Sequence, residues 1–171
     1  MRKIITLFLL FGLTTLNSVA QSTTQPISEN EVPQQVLDNQ LQFFPNSFVD
    51  GWEIQQGFEA TEDTTIRYIS KFHKSGRPGF TASYLPNGLL IFQSAFMTTD
   101  NIPETVRLKL QANFNKFDIM SANFISLFNP KREIYQVKIR DDARAQYIYY
   151  DIDGNLIEEN ALPPEIILLL N

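Results

Sequence analysis

The chain has two stretches in which apolar residues recur at helical spacing, and each stretch begins with a proline. Four apolar residues follow Pro103 with the spacing that gives a helix one apolar face: Val106, Leu110, Phe114 and Phe117. A less regular set follows Pro33: Val36, Leu37, Leu41 and Phe44. Proline suits the first turn of a helix because its missing N–H has no intrahelical partner there. The pattern predicts one amphipathic helix after each proline.

After each predicted helix the apolar period changes from 3.6 residues to 2, which is typical of β-strands. The alternating stretches are residues 66–73, 80–84, 89–96, 135–139 and 146–150. Asn87-Gly88 and Asp153-Gly154 separate strands, and glycine in such pairs accepts the positive φ of a tight hairpin turn. We therefore predict antiparallel hairpins at both pairs.

The order of these signals is the same in the two stretches. Tyr84 lies four residues before Gly88, and Tyr150 lies four residues before Gly154. The recurrence predicts an internal duplication, and the alternative is two ordinary α+β segments that share common turn signals.

The predicted fold class is α+β with two tandem repeats, residues 32–97 and 98–160. Each repeat is expected to pack a helical segment on an antiparallel β-meander of about four strands, with the other sheet face open. The phrase Leu162-Pro163-Pro164 resembles the two helix openings, so residues 161–171 are predicted to form a C-terminal capping segment.

Residues 1–20 have the pattern of a secretory signal peptide. Arg2 and Lys3 precede an apolar run of about ten residues, and Ser18-Val19-Ala20 supplies small residues before Gln21. A membrane-spanning helix needs about twenty apolar residues, so we predict cleavage near Ala20 and Gln21 and no stable membrane insertion. The expected location is the periplasm or the medium. The polar residues 21–31 are predicted to be a flexible linker.

Charge and composition restrict the partners. The chain has 14 Lys and Arg against 19 Asp and Glu, a net charge of −5, and no Cys. A nucleic-acid-binding protein needs a concentrated basic face, so this acidic chain is predicted not to bind nucleic acid. Without cysteine no disulfide supports the fold, and packing alone must stabilise it.

The sequence predicts neither an enzyme nor a metal or cofactor site. The single histidine, His73, lies in an alternating strand without a nucleophile elbow, so a hydrolase is only a weak alternative. One His and no Cys exclude a zinc site. The sequence around Asp151-Ile152-Asp153-Gly154 fails as a calcium loop, because Tyr149 and Asn160 occupy its first and twelfth positions. The doublets Asp141-Asp142 and Glu158-Glu159 are interpreted as solvated loop and edge residues.

Aromatic side chains are the remaining candidates for function. Five tyrosines are predicted to contact a partner: Tyr68, Tyr84, Tyr147, Tyr149 and Tyr150. Neighbours in a strand point to opposite faces, so either Tyr149 or Tyr150 must face away from the helices. Tyrosine on an open sheet face suits protein recognition, since it contributes a large contact area at low entropic cost. We predict a non-enzymatic binding module for another exported or envelope protein or peptide. The alternative is a structural or envelope-stress component whose sheet edges pair with a partner strand.

The repeated phrases carry a family resemblance. They are Val32-Pro33, Phe44-Pro45-Asn46, Trp52-Glu53 and Asn87-Gly88-Leu89-Leu90, with Ile102-Pro103, Phe114, Tyr135 and Asp153-Gly154 as the second copy. Together they resemble the PepSY-like, β-lactamase-inhibitor-like family of exported bacterial proteins. The resemblance implies two α+β units in one extended sheet or a tandem pair, export to the periplasm of Bacteroidetes-like bacteria, and no known catalytic residues. Trp52 departs from the repeat, because Phe124 is the nearest bulky aromatic in the second copy.

Overall fold

The computed structural model describes residues 23–56 and 66–167, so the predicted signal peptide lies outside the described residues. The strands form one nine-stranded antiparallel sheet in which each strand pairs with the next along the chain. They are β1 (Thr23–Ile27), β2 (Ser47–Gln56), β3 (Arg67–Lys74), β4 (Arg77–Tyr84), β5 (Leu90–Met97), β6 (Asp118–Phe128), β7 (Lys131–Arg140), β8 (Ala145–Asp151) and β9 (Leu156–Ile157).

Two ten-residue helices, α1 (Gln34–Phe43) and α2 (Glu104–Asn113), confirm the prediction of a helix after each proline. A short α3 (Pro164–Ile167) follows β9. A three-residue 3-10 turn precedes each helix: Glu29–Glu31, Thr99–Asn101 and Glu159–Ala161. No helix within residues 23–56 or 66–167 has the length and hydrophobicity needed to cross a membrane.

Helices α1 and α2 cover the same face of the sheet, which we call the helix face. A single row of register partners crosses this face: Phe72, Phe80, Ala95, Phe124, Tyr135 and Tyr150. Val36 of α1 packs in one cluster with Phe72, and Val106 of α2 packs in another with Tyr150. Because register partners lie on one face, both helices contribute to the same layer.

The predicted tandem repeats are wrong, because the sheet is continuous across the predicted boundary at residues 97 and 98. β5 and β6 pair over six positions, from Phe92 with Leu127 to Met97 with Ala122. An unpaired strand edge leaves backbone N–H and C=O groups without partners, and pairing β5 with β6 satisfies them. The fold is therefore mostly β, a single sheet with two ten-residue helices rather than two separate helix-plus-meander units.

The prediction of an open second face also needs correction. Ile166 of α3 and Leu162 just before it pack on the sheet face opposite α1 and α2. There they bury a cluster of sheet residues: Phe92, Ile125, Leu127, Ile134 and Tyr149. The described part of the predicted capping segment thus covers apolar side chains that would otherwise face water. Phe96, on the same face, stays 54% exposed.

The segment predicted to be a flexible linker contains a strand. Thr23–Ile27 forms β1, which pairs with β2 from Thr23 with Gln56 to Ile27 with Trp52. Thr24 and Gln25 are polar and exposed, so the strand gains most of its stability from backbone hydrogen bonds to β2 rather than from an apolar face. Ile27 packs against the core around Trp52.

Both predicted hairpins are confirmed, and each glycine has positive φ, 82° at Gly88 and 79° at Gly154. Gly88 also supports tertiary packing, since Asn39 Nδ2 of α1 donates a 2.8 Å hydrogen bond to its carbonyl oxygen. The β4–β5 hairpin is thus fastened to α1.

Candidate binding site

The five predicted tyrosines have different environments. Tyr84, Tyr149 and Tyr150 are buried, with 0%, 3% and 0% of their surface exposed. Tyr68 is half-buried and packs against the core below α1. Tyr147 is 40% exposed. The three buried rings belong to the core and cannot contact a partner on the folded surface, so Tyr147 is the surface candidate.

The buried tyrosines have structural partners. The Tyr84 hydroxyl donates a 2.8 Å hydrogen bond to Gln40 Oε1, and burial raises the pKa of Tyr84. The Tyr149 hydroxyl accepts a 3.3 Å hydrogen bond from Gln136 Nε2. Burial raises the pKa of Tyr149 to about 12, although the bond from Gln136 opposes that shift. Both rings remain neutral over the physiological range.

Tyr147 lies at a free edge of the sheet. β8 has seven residues, but its outer neighbour β9 pairs only with Tyr149 and Tyr150. Within the described part of the chain, no strand pairs with the outer edge of residues 145–148. An edge of this kind presents backbone donors and acceptors in the geometry that another strand requires.

A hollow of about 240 Å³ lies beside this edge. Phe114 and Leu156 supply apolar walls, and Glu158 and Glu159 follow β9 at one end. We call residues 145–148 with Phe114, Leu156, Glu158 and Glu159 the β8 edge site. The Nζ atom of Lys138 lies 5.6 Å from the centroid of the Tyr147 ring, a cation–π contact that orients the ring on the face opposite the helices.

The other edge of the sheet differs. β1 is an edge strand, but Pro26 stands in it and is exposed. Proline has no N–H to donate to an added strand, and natural sheets place it at edges to prevent pairing. The β8 edge site has no proline, so of the two outer strands β8 is the better template for a partner strand.

The residues considered for catalysis and for calcium have other contacts. His73 Nδ1 lies 2.6 Å from Asp50 Oδ2 without hydrogen-bond alignment, and both side chains are partly exposed. Ser70 Oγ instead donates to Gln40 Oε1 on the helix face at 2.8 Å. Asp151 accepts hydrogen bonds from the backbone of Asp153 and Asn155, which closes the β8–β9 turn. Burial raises the pKa of Asp151, but these bonds together with one from the Asn155 side chain outweigh that effect and lower it.

Sequence reasoning missed most of the β8 edge site. The helical spacing assigned Phe114 to the apolar face of a helix, and Glu158-Glu159 was interpreted as a pair of solvated loop and edge residues. The short length of β9 leaves this edge of β8 free. The sequence indicates that length only weakly, because two residues separate Asn155 from the acidic doublet.

Solved structures from Bacteroides share this fold. A protein of Bacteroides eggerthii, provisionally assigned to the periplasm, has a TM-score of 0.59 and 14% identity over 74% of this chain and 86% of its own. A DUF2874 family protein of Bacteroides uniformis has the same TM-score and identity over 74% and 87%. A DUF2874 family protein of Bacteroides ovatus has a TM-score of 0.54 and 12% identity over 80% and 97%. At this identity the likeness concerns the fold.

Neither a protein-family profile nor a curated protein sequence matches the chain. The resemblance to the PepSY-like, β-lactamase-inhibitor-like family therefore stays a prediction.

Proposed function

We propose that this protein is a periplasmic, non-enzymatic binding protein that captures an extended segment of another envelope protein by strand addition at the β8 edge site. The observation that carries the proposal is the outer edge of residues 145–148, which β9 leaves without a strand partner in the described chain. Strand addition is a common mode of peptide recognition, in which main-chain hydrogen bonds contribute affinity and flanking pockets select side chains.

The geometry favours an antiparallel partner segment. β9 runs antiparallel to β8, and a bound peptide would continue its line along residues 148 to 145. Alternate peptide side chains would then lie towards Phe114 on one side of the edge and towards Tyr147 on the other. An apolar side chain fits beside Phe114 and Leu156, where it would cover exposed apolar surface.

Charge sets the expected composition of the segment. Glu158 and Glu159 lie where the first residues of the antiparallel peptide would enter, and both carboxylates are exposed. A Lys or Arg side chain near the start of the peptide would pair with them. Such exposed pairs contribute about 0.2–1 kcal/mol each, so they select partners more than they increase affinity.

The location rests on two supports. Residues 1–20 have the pattern of a secretory signal peptide, and a structural neighbour of the same fold is provisionally assigned to the periplasm. An exported acidic protein would meet envelope proteins rather than nucleic acids.

The test is selection of peptides followed by hydrogen exchange. Purified protein is presented with a phage library of eight-residue peptides that alternate apolar and polar residues. We expect enrichment of peptides with Lys or Arg in the first two positions, and at least tenfold slower amide exchange within residues 145–148 when a selected peptide is added. Protection located elsewhere, or no enrichment, would contradict the proposal.

A charge-reversal variant checks the direction of the peptide. Glu158→Lys with Glu159→Lys should weaken a selected peptide about tenfold, while Glu104→Lys, a matched exposed reversal on α2, should leave binding unchanged. Equal binding by both variants would mean that the peptide does not enter beside the acidic doublet.

A further inference from the structure

A second feature of the molecule is a groove of about 240 Å³ between α1 and β2, far along the sheet from the β8 edge site. Its rim carries one of the most exposed large apolar side chains in the described residues, Leu41 at 65%. Its walls include Gln40, Ser47 and Trp52. Exposed apolar residues that border a concave surface indicate an interaction site.

Three side-chain polar atoms of these wall residues are buried and have no hydrogen-bond partner in the described chain: Gln40 Nε2, Ser47 Oγ and Trp52 Nε1. Gln40 is 1% exposed and Trp52 is 4% exposed. A buried polar group without a partner destabilises a fold, so three such groups around one groove require an explanation.

The orientation of the Gln40 amide follows from its neighbours. Its Oε1 atom accepts hydrogen bonds from Ser70 Oγ and from the Tyr84 hydroxyl, each at 2.8 Å. The opposite orientation of the amide would leave both hydroxyl hydrogens without an acceptor in the core. Burial raises the pKa of Tyr84, which keeps that hydroxyl a donor. The Nε2 group is therefore held as a donor that faces away from the hydroxyl groups of Ser70 and Tyr84.

Two of the three groups can only donate, since the amide nitrogen of Gln40 and the indole nitrogen of Trp52 have no acceptor capacity. The Ser47 hydroxyl can donate as well. A matching ligand must therefore supply a hydrogen-bond acceptor beside an apolar group that replaces water over Leu41. Glu29 also lines the groove, and its exposed carboxylate disfavours an anion. The acceptor is thus neutral, and the carbonyl oxygen of an amide meets this requirement.

We infer that the α1–β2 groove is a binding site for a small neutral amide with a branched apolar group, such as a single aliphatic residue with its flanking carbonyl groups. Pockets for drug-sized ligands span about 300–1,000 Å³, so this groove of about 240 Å³ suits a smaller molecule. Leu41 is exposed and can change rotamer readily as a ligand enters.

The single tryptophan, Trp52, reports on the site directly. The probe is N-acetyl-leucine methylamide, titrated into the purified protein while the fluorescence of Trp52 is recorded. We expect a saturable change in emission and at least fivefold weaker binding of the anionic analogue, N-acetyl-leucine. Glu29→Gln should reduce that discrimination. A linear, non-saturable response, or equal affinity for both probes, would overturn the inference.

Two variants separate donor loss from misfolding. Ser47→Ala removes one hydroxyl with little change in volume, and Gln40→Met removes the amide; each should weaken the methylamide at least fivefold. Ser94→Ala, a half-buried serine of β5, is the matched control and should bind normally. If Gln40→Met fails to fold in a thermal melt, Ser47→Ala decides alone. Unchanged affinity of Ser47→Ala would refute the donor assignment. That result would not bear on the proposed function of the β8 edge site, because neither Ser47→Ala nor Gln40→Met alters that site.

Discussion

Tyr149 and Tyr150 are neighbours in β8 whose rings lie on opposite faces of the sheet, and both are buried. Tyr150 packs below α2 with Val106, whereas Tyr149 packs below Leu162 and Ile166. Strand alternation requires the two directions. The additional cover over Tyr149 explains why the ring that faces away from the helices is not available to a partner.

Removing the hydroxyl group should change the free energy of unfolding in opposite directions at two buried tyrosines. Tyr150 has a buried hydroxyl without a hydrogen-bond partner in the described chain, whereas that of Tyr84 donates to Gln40. We expect Tyr150→Phe to raise the free energy of unfolding by about 1 kcal/mol and Tyr84→Phe to lower it by about 1–2 kcal/mol. Urea denaturation measures both. Destabilisation by Tyr150→Phe would mean that its hydroxyl has a partner in solution.

The C-terminal segment should contribute to stability out of proportion to its length. Ile166 is fully buried against the sheet face opposite the helices. Ile166→Ala should lower the free energy of unfolding by about 2–5 kcal/mol, because it removes buried methylenes and leaves a cavity. Leu108→Ala, at a 56% exposed position on α2, is the control and should change it by less than about 0.5 kcal/mol. Equal effects would show that the segment does not pack on the sheet in solution.

The two hairpin glycines should differ in their tolerance of alanine. A Cβ at Gly88 would lie 2.6 Å from Asn39 Nδ2 and 3.0 Å from the Gln35 carbonyl oxygen, whereas at Gly154 the nearest atom is 3.3 Å away in Thr105. Both residues have positive φ, which destabilises alanine by about 1–2 kcal/mol. Gly88→Ala adds steric overlap of about 1–3 kcal/mol, so it should be the more destabilising change in thermal denaturation. A larger effect at Gly154 would contradict the fastening of the β4–β5 hairpin to α1.

Stability should fall at alkaline pH. The pKa of Tyr149 is raised from 10.0 to about 12, and burial raises the pKa values of Tyr84 and Tyr150 in the same direction. The unfolded chain therefore loses these protons at lower pH than the folded chain. The contribution of the buried tyrosines to the free energy of unfolding is complete below pH 10 and is lost as pH rises through about 12. Urea denaturation between pH 9 and 12 measures the decline. Tyr149→Phe should make it less steep, and an unchanged slope would show that Tyr149 titrates normally.

The local predictions succeeded where neighbouring residues carry the information. Pro103 and the apolar spacing after it predict α2, and Asn87-Gly88 predicts the β4–β5 hairpin. The stripe of α1 was less accurate, because Leu41 is exposed and Gln40 is buried in an inward position. The position of Gln40 depends on hydroxyl donors from β3 and β4, thirty and forty-four residues away, which helix periodicity does not include.

The global predictions failed at contacts between distant segments. The pairing of β5 with β6 turned two expected units into one sheet, and the packing of Leu162 and Ile166 covered part of the expected open face. A period-2 pattern reports which residues share a face, but both faces can be covered. The free edge of β8 likewise results from the length of β9 rather than from any residue within β8.

Residue order alone was therefore sufficient to specify the helix starts, the strand alternation, the hairpin turns, and a chain without the clustered His and Cys ligands of a zinc site. Folding in three dimensions determined which tyrosines are buried, where the sheet ends, and which buried donors remain unpaired. The physical reason is that propensity, capping and periodicity act within a few residues, whereas burial and hydrogen-bond satisfaction depend on groups that the chain brings together from far apart.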